Sequence, residues 1–251
     1  MKKSFILMMM AALAMTSCEL KMEKSEELVQ KTTKVSAFER VEIFGSPSVC
    51  YTQADSVSVR IEGPKSQVER IEAKVKDNVL SIRHKGRKLN IFDVHVSWSD
   101  EVCIYVTSPD LIGVDLRGSG DFECKNMLDT DTLLIRLHGS GDVKFDSVLC
   151  DRISVEQVGS GDVFLKDIQA QQANMELVGS GDLKARMKHT ALTDISLRGS
   201  GDIEVSFSNC TAANCSVQGS GDVKLKGQLQ QLNQSTYGSG SIDTEELSVQ
   251  K

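Results

Sequence analysis

One carboxylate recurs along the second half of this 251-residue chain, at the end of a Gly-Ser-Gly-Asp motif. Six copies of the motif begin at residues 118, 139, 159, 179, 199 and 219, and an altered seventh copy, Gly-Ser-Gly-Ser, begins at residue 238. Stacked in register, the acids would form a file with neighbours about 4.8 Å apart. Ionised neighbours at that spacing repel by about 1 kcal/mol in a water-like dielectric, so donors, protons or cations must offset the repulsion. The acids of this Asp file are Asp121, Asp142, Asp162, Asp182, Asp202 and Asp222.

Two chemistries fit the Asp file. The carboxylates would be ligands in a calcium-stabilised ladder, as in repeats of secreted toxins that place Asp beside Gly. Those repeats have about nine residues and two ligand-bearing turns, whereas these have about twenty and one. The alternative, which we favour, is that each Asp accepts backbone hydrogen bonds that tighten its own turn, with Gly supplying positive φ.

The rest of the sequence contains no recognisable catalytic constellation. The histidines, His84, His95, His138 and His189, are scattered, and no triad, phosphate-binding loop or metal-ligand cluster is present. Many carbohydrate-cleaving enzymes are β-helices whose long loops build a cleft, but the repeats here carry no insertion. We therefore expect no enzymatic activity, and a carbohydrate-active enzyme is the third of our hypotheses.

The residues around each motif predict the elements that position the acids. Positions two and four before the first Gly are apolar in most copies, as are the first and third positions after the Asp, while the positions between are mostly polar. Each copy is therefore a strand, a Gly-Ser-Gly turn and a second strand, with one face inside. Such copies bury their apolar faces only when they stack. The sequence predicts an all-β fold: a parallel β-helix or β-solenoid with rungs of about 20 residues over residues 111–251.

Residues 35–110 predict a strand-rich section with one short helix. Pro64 suits the first turn of this helix, with Val68, Ile71 and Val75 on one face. Alternating apolar residues indicate strands at residues 41–44, 48–52, 56–61, 79–82, 94–98 and 102–106.

Both ends of the solenoid have candidate caps. Gly45 and Ser46 resemble a degenerate copy of the repeated turn, so residues 35–110 would cap the first end. The seventh copy has Gln234 and Thr236 at core positions, as expected of a polar terminal rung. Nothing in the sequence determines the oligomeric state.

The first 17 residues predict an export signal. Lys2 and Lys3 form a basic start, and residues 5–15 are an apolar run too short to span a bilayer. Residues 15–18, Met-Thr-Ser-Cys, resemble a bacterial lipobox, in which the cysteine, here Cys18, is lipidated and begins the mature protein. Residues 18–34 are rich in Lys, Glu, Ser and Thr and predict a flexible tether. We therefore expect a lipoprotein held to the membrane by its N-terminal lipid.

Charge and composition limit the partners. The net charge of −6 becomes −8 without Lys2 and Lys3, aromatic residues make up only 5%, and no basic block is present, so nucleic acid is not an expected partner. A glycan or a surface protein remains possible. A basic stripe two or four residues after the Asp file would either neutralise it or bind an anionic glycan. This stripe comprises Lys144, Lys166, Lys184, Arg186, Lys224 and Lys226.

Six cysteines follow Cys18, and an even number in an exported protein is compatible with disulfides. Cys124 and Cys215 fall at core positions that Phe, Leu, Val or Ile occupy in other copies. We therefore favour free thiols that act as small apolar side chains. The remaining four are Cys50, Cys103, Cys150 and Cys210.

The chain resembles the head-GIN domain family, described as auto-transporter adhesins and found largely in Bacteroidetes lipoproteins. Residues 38–41, 49–53, 57–64 and 75–82, followed by the Gly-Ser-Gly-Asp repeats, carry the resemblance over about residues 35–246. It implies a right-handed parallel β-helix-like fold and a role in adhesion, and it supplies no catalytic residues.

These observations predict a cell-envelope protein with four parts: a lipoprotein signal peptide (1–17), a tether (18–34), a strand-rich section (35–110) and a repeat solenoid (111–251). Its expected role is a non-enzymatic adhesin or interaction module that presents a repetitive face. The alternative is a periplasmic structural or accessory protein. The expected location is the outer membrane, at its surface or its periplasmic face.

Overall fold

The computed structural model describes residues 27–85 and 102–250. Within these ranges the chain forms a nearly all-β solenoid of about 7 turns with one short helix, which confirms the predicted fold class. The predicted strand at residues 94–98, the signal segment and Cys18 lie outside the described residues. No helix in the described part of the chain is long and apolar enough to span a membrane.

The elements are, in chain order, β1 (Leu28–Thr33), β2 (Arg40–Gly45), β3 (Ser48–Gln53), β4 (Ser58–Pro64), α1 (Lys65–Val68), β5 (Ile71–Lys76), β6 (Val79–His84), β7 (Cys103–Ser108), β8 (Gly113–Gly118), β9 (Phe122–Asp129), β10 (Thr132–Gly139), β11 (Val143–Gly159), β12 (Val163–Gly179), β13 (Asp182–Lys188), β14 (Leu192–Gly199), β15 (Asp202–Ser208), β16 (Ala212–Gly219), β17 (Val223–Leu229), β18 (Gln231–Gly238), β19 (Ile242–Asp243) and β20 (Leu247–Val249). The long strands β11 and β12 each run through both sides of a rung. The fold is therefore one continuous wound sheet.

The strands stack on two sides of the solenoid, termed sheet 1 and sheet 2. Sheet 1 has the order β5-β6-β2-β8-β10-β11-β12-β14-β16-β18. Sheet 2 has the order β1-β4-β7-β3-β9-β11-β12-β13-β15-β17, and β17 also pairs with β19 and β20. All pairings from β8 onward are parallel and keep the Gly-Ser-Gly turns in register.

The core lies between the sheets and follows the alternation in the sequence. Inward residues of successive rungs contact like residues, as in the file of Tyr51, Phe122 and Phe145, whose ring centroids are 6.2 and 5.4 Å apart. The Tyr51 hydroxyl lies 3.1 Å from the Ser108 carbonyl oxygen, to which it donates, so its polar group is satisfied inside the core. Full burial of such a side chain contributes about 1.5–3 kcal/mol, which makes the rung-to-rung core the main source of stability.

The N-terminal section differs from the prediction in two places. The helix is only Lys65–Val68, and Ile71 and Val75 lie on β5, which pairs antiparallel with β6. Their four-residue spacing also fits one face of a strand, and pairing with β6 satisfies the backbone of a strand here. Residues 28–33 of the predicted tether form β1, antiparallel to β4, because β4 offers a free edge to them.

The C-terminal end stops on an open rung. Strand β18 pairs with β16 in parallel and continues sheet 1, but seven of its eight residues are exposed. Gln234 and Thr236 occupy inward positions, opposite Cys215 and Val217 of the preceding rung, and are nevertheless exposed. The end of the core is therefore faced with polar side chains.

Candidate functional site

The repeated turns form a file in which each rung binds the one before it through backbone atoms. In the second motif, the N–H groups of Ser140 and Gly141 donate to the Gly118 carbonyl, at 2.9 and 3.2 Å. Ser119 N–H donates in the same way to Gly45 at 2.9 Å, and Gly45 has φ +92°. The prediction that Gly45 and Ser46 are a degenerate copy of the turn is therefore confirmed.

Backbone contact between rungs requires glycine at both Gly positions. Gly139 has φ +143°, a conformation that side-chain-bearing residues rarely adopt. At Gly141 the obstacle is steric, because an added Cβ would collide with the carbonyl oxygen of Gly120 in the preceding turn. The Gly-Ser-Gly sequence is thus explained by stacking.

Five of the six acids of the Asp file accept a hydrogen bond from a backbone N–H of the following rung. Oδ1 of Asp121 accepts from the Asp142 N–H at 3.0 Å, and Oδ1 of Asp162 accepts from the Asp182 N–H at 2.8 Å. Asp222 ends the file by accepting from the Ser241 N–H at 2.8 Å. Backbone donors were expected, but within the same turn; they lie one rung further on. The equivalent bonds of Asp142 to the Asp162 N–H and of Asp202 to the Asp222 N–H measure 3.2 and 3.1 Å.

The basic stripe is largely compensated by acids. Lys144 Nζ lies 3.0 Å from Asp142 and Lys184 Nζ lies 3.5 Å from Asp182. Lys166, Lys224 and Lys226 also form ion pairs, with Asp146, Glu246 and Glu204 respectively, each at 2.6 Å. Of the two predicted roles, this geometry favours mutual neutralisation. In the described part of the chain, no group of three or more His, Cys, Asp or Glu residues is placed to hold a metal ion.

The cysteines of the described chain are free thiols. Burial raises the pKa of Cys124 and of Cys215 to about 12, and that of Cys150 to about 11. These thiols are protonated at neutral pH and pack as apolar groups. Burial, followed by the charge of Glu123, also raises the pKa of the half-buried Cys50.

A recess of about 650 Å³ lies beside the first turn and brings together Ser46, His84 and Asp121. Ser46 Oγ is 3.5 Å from His84 Nε2, which is long for a hydrogen bond that activates a nucleophile. Burial, aided by the charge of Arg70, lowers the pKa of His84. Oδ1 of Asp121 is engaged by the Asp142 N–H, so the recess does not form a triad.

The outer surface of sheet 1 carries a feature that the sequence reasoning missed. Two adjoining depressions of about 330 and 440 Å³ share Asn174 and Asp194 and together cross the rungs along the solenoid. We call this the polar groove. Amide and hydroxyl side chains line much of it, beside apolar residues that include Leu134 and Leu192. The polar residues are Ser154, Gln172, Asn174, Asn214, Asn233, Ser196, Ser216 and Ser235, with Arg152 and Asp194.

Small side chains create the polar groove. The outward position three residues before the first Gly of each turn holds Arg136, Glu156 and Glu176 in the middle rungs but serine in the three rungs after them. Hydrogen bonds between side chains of successive rungs order the floor. Asn214 Nδ2 donates to Asp194 Oδ1 at 2.7 Å, and Asn233 Nδ2 donates to Asn214 Oδ1 at 2.9 Å. The loss of charged residues at one outward position was a sequence signal for the groove.

The model of the family described as "Putative auto-transporter adhesin, head GIN domain" matches residues 37–214 and 194–251. A crystal structure of a putative adhesin from Bacteroides fragilis is 30% identical, with a TM-score of 0.76, over 87% of this chain and 97% of that chain. No curated protein shows significant sequence similarity.

Two more distant structures share the fold. A putative lipid binding protein from Parabacteroides distasonis is 18% identical, with a TM-score of 0.65, over 87% of this chain and 97% of that one. A putative adhesin from Parabacteroides merdae is also 18% identical, with a TM-score of 0.65, over 87% of this chain and 96% of that one. At this identity they establish the solenoid architecture alone.

Proposed function

The chain belongs to the head GIN domain family of putative auto-transporter adhesins, and from this premise we propose that it is a non-enzymatic adhesin that binds a glycan chain along the polar groove. It is held at the outer membrane by a lipid on Cys18, with the solenoid at the cell surface. The observation that carries the proposal is the groove itself, which crosses successive rungs of sheet 1 and presents hydrogen-bonding side chains beside apolar ones.

The chemistry of the polar groove suits a neutral, hydroxyl-rich polymer. Amide and hydroxyl groups both donate and accept hydrogen bonds, as sugar hydroxyls do. Asparagine and serine recur at equivalent outward positions of several rungs, about 4.8 Å apart, so that a long ligand meets similar groups several times and weak contacts add. The basic stripe on sheet 2 is a poorer site for an anionic glycan, because its lysines already pair with acids.

The described rungs provide little support for an enzyme. They join the strands by short turns, so no long loops rise from sheet 1 to enclose a substrate. The recess beside Ser46 and His84 lacks a triad. A periplasmic accessory role remains the alternative to surface adhesion.

A glycan-binding measurement tests the proposal. The mature protein is applied to an immobilised neutral glucan, a pectin-type polyuronate and a sulfated glycosaminoglycan. We expect the wild-type protein to be retained on the neutral polymer. In Ser216→Arg the arginine side chain fills the groove, and the affinity for that polymer should fall at least about tenfold. Ser206→Arg is the matched control, since Ser206 is also half-buried but lies on sheet 2.

Several outcomes would contradict the proposal. Retention on the sulfated polymer alone would move the site to the basic stripe, and equal binding by the two arginine variants would exclude the groove. Release of oligosaccharides would favour the enzyme. Protease treatment of intact cells tests the location: loss of the solenoid without lysis supports the surface, whereas protection until lysis supports the periplasmic alternative.

A further inference from the structure

The solenoid has four free strand edges in its described part, and three of them have features that protect them from pairing with another strand. Sheet 1 begins with β5, which carries Lys74 and Lys76, and sheet 2 begins with β1, which carries Lys31. Sheet 2 ends with β19 and β20, which have only 2 and 3 residues and flank Glu246. Short strands and charged side chains are the devices by which natural proteins protect edges from pairing.

The fourth edge, β18, has none of these devices. It is 8 residues long, has the sequence QLNQSTYG and contains neither a charged residue nor a proline. In the described part of the chain it pairs only with β16, in unbroken register over its whole length. Uncharged Gln- and Asn-rich strands of this kind pair readily with like strands.

The backbone groups of β18 that face the open edge can be identified. Outward residues of sheet 1 bond backward, as in Arg152 N–H to Asp131 and Gln231 N–H to Thr211. Because N–H and C=O directions alternate along a strand, inward residues point forward to the next rung. The inward residues of β18 before the turn glycine Gly238 are Leu232, Gln234 and Thr236, and their N–H and C=O groups face the open edge.

We propose that β18 is a self-association surface, at which the C-terminal rungs of two copies of this chain pair antiparallel about a two-fold axis. Residues on the same side of the sheet must face one another, so the pairing joins inward to inward positions. Gly238 turns out of the strand at φ +125°. Maximal overlap of the residues before it then places Gln234 opposite its own copy on the axis and Leu232 opposite Thr236. The N–H groups of Leu232, Gln234 and Thr236 in both strands each gain a carbonyl partner.

A second copy fits this end better than an isolated strand does. Leu232, Ile242 and Leu247 pack against the core at the last rung but stay partly exposed. A single added strand would cover sheet 1 alone, whereas the end of a second solenoid also faces Ile242 and Leu247 on sheet 2. Two of the acids at this end are compensated, since Lys224 lies 3.8 Å from Asp243 and 2.6 Å from Glu246.

Association of the C-terminal end with the opposite end is disfavoured. The first edges of both sheets present lysines, and each edge strand runs antiparallel to its neighbour. Helix α1 also contacts β1 and β4 at this end. The pairing therefore closes as a dimer and does not extend into a fibre.

The test measures the oligomeric state of the full mature chain by sedimentation across a wide range of concentrations. We expect a monomer–dimer equilibrium whose Kd rises by about tenfold or more in Gln234→Lys, since like charges then meet on the axis. Gln169→Lys is the matched control, because Gln169 is exposed in the middle of the solenoid. Thr236→Lys repeats the test if the first variant folds poorly.

Amide hydrogen exchange gives a readout that needs no variant. The Gln234 and Thr236 amides should exchange more slowly as protein concentration rises, while the Asn233 amide, which bonds backward to β16, should not change. A protein that stays monomeric at millimolar concentration contradicts the proposal. So does a dimer that Gln234→Lys and Thr236→Lys leave intact, because its interface would lie elsewhere.

Discussion

The first turn of the solenoid and the turns that follow have the same backbone contacts but different sequences. The first reads Gly-Ser-Pro-Ser from Gly45, whereas the next six read Gly-Ser-Gly-Asp. Pro47 occupies the place of the second glycine, and its carbonyl is what a Cβ at Gly120 would strike. A Cβ at Gly45 would meet nothing closer than 3.8 Å.

This contrast shows what the repeat selects for. Within the described residues, the first turn contacts another turn on one side only. It carries a proline ring, and Gly120 of the next turn must be glycine because of the Pro47 carbonyl. Every later turn lies against a preceding one, so both of its glycines are required, and five of the six Asp residues accept from an N–H of the turn that follows. The motif is therefore a consequence of position in the stack, and stacking explains the repeated sequence of this chain without invoking a catalytic role.

Alanine at the second glycine should have the largest effect. In Gly201→Ala the new Cβ would collide with the Gly181 carbonyl oxygen, and we expect a loss of about 3 kcal/mol or more in the free energy of unfolding. Gly45→Ala keeps open space but forces alanine to φ +92°, at a cost of about 1–2 kcal/mol. Urea denaturation measures both.

Gly113→Ala is the control for this series, since its nearest atoms would lie at 3.5 Å, an ordinary contact. It should change stability by about 0.5 kcal/mol or less. If Gly201→Ala were as mild as Gly113→Ala, the close contact of the turns would not be what requires glycine.

Substitutions in the Asp file should lower the free energy of unfolding less than substitutions of the glycines. Asp162→Ala removes the acceptor of the Asp182 N–H and should cost about 1–2 kcal/mol, while Asp162→Asn keeps an oxygen acceptor and should cost less. Ser48→Ala, at the corresponding place of the first turn, should have little effect. The readout is again urea denaturation.

Calcium distinguishes the two explanations of the Asp file. If hydrogen bonds hold it, saturating Ca²⁺ should leave Tm nearly unchanged in both the wild type and Asp162→Asn. A rise of several degrees that Asp162→Asn removes would establish a cation ladder instead, since a ligand bound only by the folded state stabilises it.

The buried thiols of the rungs predict a fall in stability at alkaline pH. Burial raises the pKa of the Cys215 thiol in the folded state to about 12, from an ordinary 9.0. The protonated thiol therefore stabilises the fold fully below pH 9, and this stabilisation is lost as pH rises toward the folded pKa. One such group gives a slope of about 1.4 kcal/mol per pH unit. Cys215→Ala should reduce the slope by that amount, measured by urea denaturation between pH 8 and 11.

Val217→Ala is the control for the thiol, because Val217 is a core residue of the same strand and does not titrate. It should lower stability at every pH and leave the slope unchanged. An unchanged slope in Cys215→Ala would mean that other groups govern alkaline unfolding.

The sequence was sufficient for the features that repeat and insufficient for those that depend on a neighbouring rung. The 20-residue period and the alternation of apolar residues predict the solenoid, and the Gly-Ser-Gly motif predicts its turns. The donors to the Asp file were placed in the wrong turn, because a repeat does not say which of two equivalent N–H groups is nearer. Ile71 and Val75 were assigned to the helix because their spacing fits both a helix and a strand. The polar groove was missed because it arises from small residues on four separate strands.

Ion pairs on the outer surface should contribute least to the free energy of unfolding, both in the rungs and in the N-terminal section. Lys144 pairs with Asp142 at 3.0 Å and lies 5.4 Å from the centre of the Phe164 ring, and 40% of its side chain is exposed. Lys144→Met, which keeps the apolar stem against Phe164, should change the free energy of unfolding by about 0.5 kcal/mol or less, and less still in 1 M NaCl. Arg83→Met, which breaks the pair with Glu72 on β5 and β6, should behave in the same way. A loss with Lys144→Met that is large and insensitive to salt would show that the stripe on sheet 2 stabilises the stack, and the difference between the two regions would then extend from their turns to their surfaces.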